Sequence, residues 1–171
     1  MIFRLSQKLS KKIKSDKLLD LPMGENPLTD WSGHLFTVGR VQYIILTNTA
    51  SLYSCLLRGK GITNDVTFIN RGLERIRELT TNDGLQHVYE EFIAPECGTV
   101  RYAKALNRSV TGSMNDHIRA AKYLMIDHRS SEEIENCLNE TPMSAISGPD
   151  GRNYGFPKEV FTVLADSMSE K

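Results

Sequence analysis

The sequence predicts an α+β fold in which a mostly antiparallel sheet of about five strands is covered on one side by helices. Segments with strand patterning cluster in the first third of the chain, and helical periodicities dominate the rest. Strands and helices do not alternate regularly, as they would in a parallel α/β fold. The 171 residues, 40% of them hydrophobic, suit a single domain spanning residues 1–171.

Most of the predicted strands lie before residue 58. Residues 2–5 fit a strand, and Ser6 can cap a short helix that buries Leu9 and Ile13. Prolines and glycine then indicate a loop, and residues 31–57 predict an antiparallel meander. Its apolar run at residues 44–46 lacks polar alternation, which predicts a strand in the middle of the sheet with both faces covered.

Helices are predicted for most of the remaining chain. One begins at Thr63 or Asn64, and its inward stripe consists of Val66, Ile69, Leu73 and Ile76. A second is ended by Pro95, and a strand at residues 100–105 follows. A third is capped by Ser113, and a short fourth by Ser130 with Glu133. Pro157 begins the last one.

Charge is balanced over the whole chain but not along it. The 21 basic and 21 acidic residues give a net charge of zero, which does not favour nucleic acid as a partner, although it leaves that partner open. Residues 1–17, however, carry Arg4 and five lysines against Asp16, and residues 131–171 carry an acidic surplus. The two ends are either solvated faces or, at the amino end, a basic patch for an acidic partner.

The chain has the composition expected of a cytoplasmic protein. Its three cysteines are widely spaced and form no pairing pattern, which indicates reduced thiols. The amino-terminal residues do not resemble a secretory signal, and no run approaches the ~18 apolar residues of a membrane helix. We therefore expect no membrane partner, and no motif indicates a cofactor.

The segment at residues 107–116 has the strongest appearance of a site. It is interpreted as a polar turn between a strand and a helix, where free backbone N–H groups can bind an anion. The candidate ligand-binding residues are Asn107, Arg108, Ser109, Thr111, Gly112, Ser113 and His117. Capping by Ser113 and turn formation by Asn107 and Gly112 explain most of the same residues without a ligand.

Two functions remain open on these residues. The first is a binding or interaction protein whose turn, with Arg108, holds an anionic group of an unknown protein or small ligand. The alternative is a small metal-independent hydrolase acting on nucleic acid, with His117 and Arg108 as its acid/base and cationic groups. No metal is expected, because the pairs Asp116-His117 and Asp127-His128 lie about 16 Å apart on a helix. Whether the protein is an enzyme is left undecided.

The sequence also resembles a family of uncharacterised bacterial proteins known only as a domain of unknown function. The resemblance rests on the segment Asn-Arg-Ser-Val-Thr-Gly-Ser-Met-Asn-Asp at residues 107–116, on Trp31 with Phe36, and on the polar and aromatic positions of residues 40–54. It implies a free-standing cytoplasmic bacterial domain that comes from a mobile genetic element. It implies no activity, cofactor or catalytic residue.

Overall fold

The α+β class is confirmed by the structure, a computed structural model that describes residues 1–170. The strands are β1 (Ile2–Leu5), β2 (Asp30–Val38), β3 (Val41–Asn48), β4 (Ser54–Arg58) and β5 (Arg101–Ala103). The helices are α1 (Gln7–Ile13), α2 (Asp65–Asn82), α3 (Gln86–Val88), α4 (Arg108–Ile126), α5 (Ser131–Asn139) and α6 (Pro157–Ser169). A π-helix (Tyr89–Ile93) and a 3-10 helix (Ala94–Gly98) continue α3, and a 3-10 turn (Pro27–Thr29) precedes β2. None of the helices within residues 1–170 has the length and apolar character needed to cross a membrane.

The five strands form one sheet in the order β4-β3-β2-β1-β5. The predicted meander is present, because β2 pairs antiparallel with β3 and β3 pairs antiparallel with β4. The sheet is nevertheless mixed, since β1 lies parallel to both β2 and β5. Ile2 pairs with Asp30 on one side and with Arg101 on the other. A four-residue strand has no sequence pattern that indicates partners so far away along the chain.

Helices cover both faces of the sheet, not one face as predicted. In β3, Ile44 and Leu46 belong to a core cluster built with α1, α2 and α6. Ile45 points the other way and packs in a second cluster with α4 and α5. The predicted double burial of this run is therefore confirmed, and it requires a helix layer on each side. The run lies one strand from the edge, because β2 is the central strand.

A buried ion pair holds β1 against β2. Arg4 and Asp30 are 2% and 0% exposed, and two hydrogen bonds of 2.8 Å join the guanidinium to the carboxylate. The remaining guanidinium N–H groups donate to the carbonyl oxygens of Leu21, Pro22 and Lys104. All five donors of the side chain are thus used. Arg4 is therefore an interior residue and does not belong to the basic surface at the amino end.

The two neighbouring strands β1 and β2 differ in length, which opens a gap in the sheet. β1 ends at Leu5, which pairs with Gly33 of β2. The next residue, Ser6, donates its N–H to the Gly33 carbonyl, and α1 follows. β2 continues to Val38. Its last five residues therefore pair with β3 on one side and with no described strand on the other.

Candidate anion-binding site

The predicted site segment is the beginning of a helix. α4 starts at Arg108, and Asn107 is its N-cap, accepting a 2.9 Å hydrogen bond from the Val110 N–H on its side-chain oxygen. The prediction that Ser113 caps this helix is wrong, because Ser113 lies in the second turn and donates to the Ser109 carbonyl. Asn and Ser are comparably good caps, and the asparagine that was interpreted as a turn residue begins the helix.

The candidate residues of this segment do not converge on one place. Arg108, Ser109 and Gly112 are exposed, whereas Ser113 is buried. The Thr111 hydroxyl donates to the Asn107 carbonyl. The hydroxyls of residues 111 and 113 thus serve the helix backbone, and what remains open is the exposed first turn with the Arg108 side chain.

His117 is separated from that turn. It lies nine residues after Arg108, which places it on the opposite side of the helix and about 13.5 Å along its axis. It is 2% exposed, and its Nδ1 lies 3.0 Å from the Ser54 hydroxyl. The structure therefore does not bring together the two groups of the hydrolase hypothesis.

The pair formed by Ser54 and His117 is enclosed in the core. Ser54 donates its only hydroxyl proton to the Leu52 carbonyl at 2.8 Å, so that His117 must donate from Nδ1 to Ser54. Nε2 is then an acceptor, and it has no partner among residues 1–170. Burial lowers the pKa of His117 to about 4. A neutral histidine and a serine that are both fully enclosed serve packing and cannot reach a substrate.

A lysine-lined cleft at the open edge of β2 has the properties of an anion site. Its volume is about 790 Å³, within the range of small-ligand pockets. Its walls come mainly from α1, which lies on one side of the β2 edge, and α4, which lies on the other, and β3 adds Gln42. The lining residues are Lys8, Lys11, Lys12, His34, Leu35, Phe36, Thr37, Gln42, Asn115, Ile118 and Lys122.

The charge of this cleft is entirely positive. Four of its lining residues are lysines and none is acidic. In the part of the chain that the structure describes, none of the four ammonium groups forms an ion pair with a carboxylate. Lys12 instead donates to the side-chain oxygen of Gln42 at 2.8 Å. Burial and the charges of Lys8 and Lys122 lower the pKa of His34, because a further positive charge is disfavoured there.

The sequence indicated one wall of this cleft, the one that α1 forms. The surplus of lysines before residue 18 indicated a basic patch, and Lys8, Lys11 and Lys12 form it. Lys122 and His34 line the cleft only because α4 and β2 lie next to α1 in the fold. The spacing of residues along the sequence does not indicate this proximity. The only hint of the cleft at this edge is that β1 is much shorter than β2, the strand beside it.

Comparison with known proteins assigns most of the chain to one family. The family model described as "Domain of unknown function (DUF6933)" matches residues 2–160, which include the segment at residues 107–116. No curated protein and no solved structure matches the chain.

Proposed function

Because the chain belongs to the DUF6933 family, whose description specifies no activity, we propose a function from the geometry of the lysine-lined cleft. The protein is a binding protein that holds an anionic group, carried by a partner or a small ligand, between α1 and α4. The observation that supports this proposal is the set of four lysines around one cleft without a compensating carboxylate. Like charges brought together in this way repel one another, and a bound anion relieves that repulsion.

The hydrolase hypothesis receives no such support. Its two proposed groups, Arg108 and His117, lie on opposite sides of α4, and His117 is buried. The cleft itself has one titratable group near neutral pH, His34, whose lowered pKa favours the neutral form. A binding role therefore explains more of the described surface than a hydrolytic one.

The predicted segment competes with the cleft as the location of the anion. The first turn of α4 presents the N–H groups of Arg108 and Ser109, and the dipole of a 19-residue helix favours an anion there. Only one charged side chain, Arg108, accompanies these groups. The cleft has four, and for this reason we place the anion there.

Calorimetric titration with tripolyphosphate distinguishes the two locations. We expect the double substitution Lys12→Ala with Lys122→Ala to weaken binding about tenfold or more, since two of four attractive charges are removed. Arg108→Ala and the exposed Lys60→Ala should change the Kd by no more than about twofold, because neither residue lines the cleft. A larger loss with Arg108→Ala would move the site to the start of α4. Absence of tripolyphosphate binding to the unsubstituted protein would refute the proposed function.

The cysteines support a proposed cytoplasmic setting. All three are free thiols, and Cys137 is exposed while Cys55 is buried. An exposed thiol without a disulfide is typical of a reducing compartment. Cys97 is half-buried, and its sulfur packs near that of Met1.

A further inference from the structure

The outer edge at β4 is already occupied by side chains. Asn139 accepts a hydrogen bond from the Ser54 N–H at 2.8 Å and donates to the Ser54 carbonyl at 2.9 Å. Two residues further, Glu135 accepts from the Leu56 N–H and Arg75 donates to the Leu56 carbonyl. These side chains replace the bonds that a neighbouring strand would form, which prevents another strand from pairing here.

The opposite edge is covered by the chain itself. Leu19 donates its N–H to the Tyr102 carbonyl at 3.0 Å and accepts from the Lys104 N–H at 2.9 Å, so it bridges to β5 like a short sixth strand. The end of β2 at residues 34–38 contrasts with both outer edges. It faces the lysine-lined cleft without a described neighbour on that side.

The backbone of β2 presents both donors and acceptors to this cleft. The N–H and C=O of one residue point to the same side of a strand, and successive residues alternate. The Gly33 carbonyl points toward β1, where it accepts from the Ser6 N–H. The N–H and C=O groups of Leu35 and Thr37 therefore point into the cleft, about 6.8 Å apart along the strand.

We propose that the cleft receives an extended acidic segment of a partner protein, which adds a strand beside residues 34–38 of β2. This inference rests on the proposed function, because the same lysines provide the attraction. An inorganic anion can use the free N–H groups and leaves the carbonyl groups of Leu35 and Thr37 without donors. A peptide backbone satisfies both kinds of group, as in other complexes formed by strand addition.

The two walls of the cleft indicate the side chains of the partner segment. Side chains of an added strand alternate between the two faces of the sheet. The α1 wall carries Lys8, Lys11 and Lys12 and would contact acidic side chains. The α4 wall combines Lys122 with the apolar surfaces of Phe36 and Ile118, and it suits aliphatic side chains. A segment in which Glu and Val alternate fits both walls.

The test compares two peptides of equal charge. One is acetyl-Glu-Val-Glu-Val-Glu-Val-Glu-amide, and the other carries N-methyl groups on the backbone nitrogens of all its residues. We expect the first to bind with a Kd lower by about tenfold or more, because N-methylation removes the donors on both edges of the peptide and prevents close approach of a strand. Equal binding of the two peptides would overturn the proposed strand addition.

A matched substitution tests the same contact from the protein side. Thr37→Pro removes an N–H that points away from β3 and leaves every lysine in place. We expect this variant to lose about tenfold or more in affinity for the unmethylated peptide and to lose clearly less affinity for tripolyphosphate, because all four lysines that attract the anion remain. Unchanged peptide affinity overturns strand addition. Absence of tripolyphosphate binding to the unsubstituted protein, by contrast, refutes the proposed function. If Thr37→Pro does not fold, the comparison of the two peptides decides the proposal.

Discussion

His117 shows how a single polar residue can be tolerated in the core. Its Nδ1 donates to Ser54, whose hydroxyl also lies 2.9 Å from that of Thr47. Its Nε2 has no partner among the described residues. Leaving a buried acceptor unpaired costs on the order of 1–3 kcal/mol, so the neutral histidine lowers the stability of the fold.

Stability should fall when the solution is acidified because of this histidine. The pKa of His117 is lowered to about 4 from 6.5, so the unfolded chain binds the proton more tightly than the folded one. The free energy of unfolding should decrease from about pH 6.5 down to about pH 4, by at most roughly 3 kcal/mol. His117→Asn keeps an N–H donor for Ser54 and cannot be protonated, and it should therefore remove this decrease.

Urea denaturation at a series of pH values provides the measurement. Glu135 acts in the opposite direction, because burial raises its pKa to about 7 despite the nearby charge of Arg75. Its contribution to stability grows as the pH falls from 7 toward its unfolded value. The same contribution is present in His117→Asn, so the difference between the two proteins isolates the histidine. Parallel pH profiles of the two proteins would contradict the assignment of a buried neutral histidine.

At the scale of elements, α5 protects the edge of β4. The Asn139 side chain is 1% exposed and makes two hydrogen bonds to Ser54. Asn139→Ala leaves one buried donor and one buried acceptor unpaired, and we expect a loss of about 2–4 kcal/mol in unfolding free energy. The exposed Asn136→Ala on the same helix is the matched control and should cost less than about 0.5 kcal/mol.

Denaturation and light scattering together check this role. Because an unpaired edge attracts other strands, Asn139→Ala should also aggregate at concentrations where Asn136→Ala stays monodisperse. Equal stability of the two variants would show that the bonds to Ser54 contribute nothing net.

Capping residues made several helix starts predictable. Ser6, Asn64 and Ser130 each accept a hydrogen bond from the first turn, and Ser130 with Glu133 forms the predicted capping box. The start of α4 was misplaced because Gly112 was interpreted as a turn residue. A Cβ at Gly112 would meet no atom within 4 Å, so neither packing nor a special backbone conformation requires a glycine there.

The inward face of α2 was predicted with the wrong orientation at its start. Val66 is 63% exposed, whereas Phe68 and Gly72 are buried. A Cβ at Gly72 would lie 3.2 Å from a methyl carbon of Leu46, which shows how closely the helix approaches the sheet. A glycine at a contact position does not register as apolar in a hydrophobic stripe. Of the buried positions 68, 72, 76 and 79, only Ile76 was therefore predicted.

At the scale of the molecule, the ion pair of Arg4 and Asp30 connects four parts of the chain. It joins β1 and β2, and its carbonyl acceptors lie in the loop before β2 and after β5. The sequence suggested a surface charge at Arg4 because its neighbours in the chain are lysines. Its burial follows from contacts across about 26 to 100 residues, which local patterns do not contain.

Asp30→Asn should be one of the most destabilising single changes in this protein. It leaves the Arg4 guanidinium buried without a counter-charge, which typically costs about 3–5 kcal/mol. Asp20→Asn removes the carboxylate of the exposed pair with Lys104 and should cost no more than about 1 kcal/mol. Urea denaturation midpoints of the two variants test the contrast, and a similar small loss for both would contradict the proposed role of the buried pair.

The position of β1 between β2 and β5 has a consequence for synthesis on the ribosome. β1 is translated first, yet one of its two neighbours, β5, begins only at Arg101. The β2–β4 meander is complete in the growing chain some forty residues earlier, at Arg58. Of the five strands, β1 is thus the first to be made, and both of its partners exist only after more than half of these 171 residues have been translated.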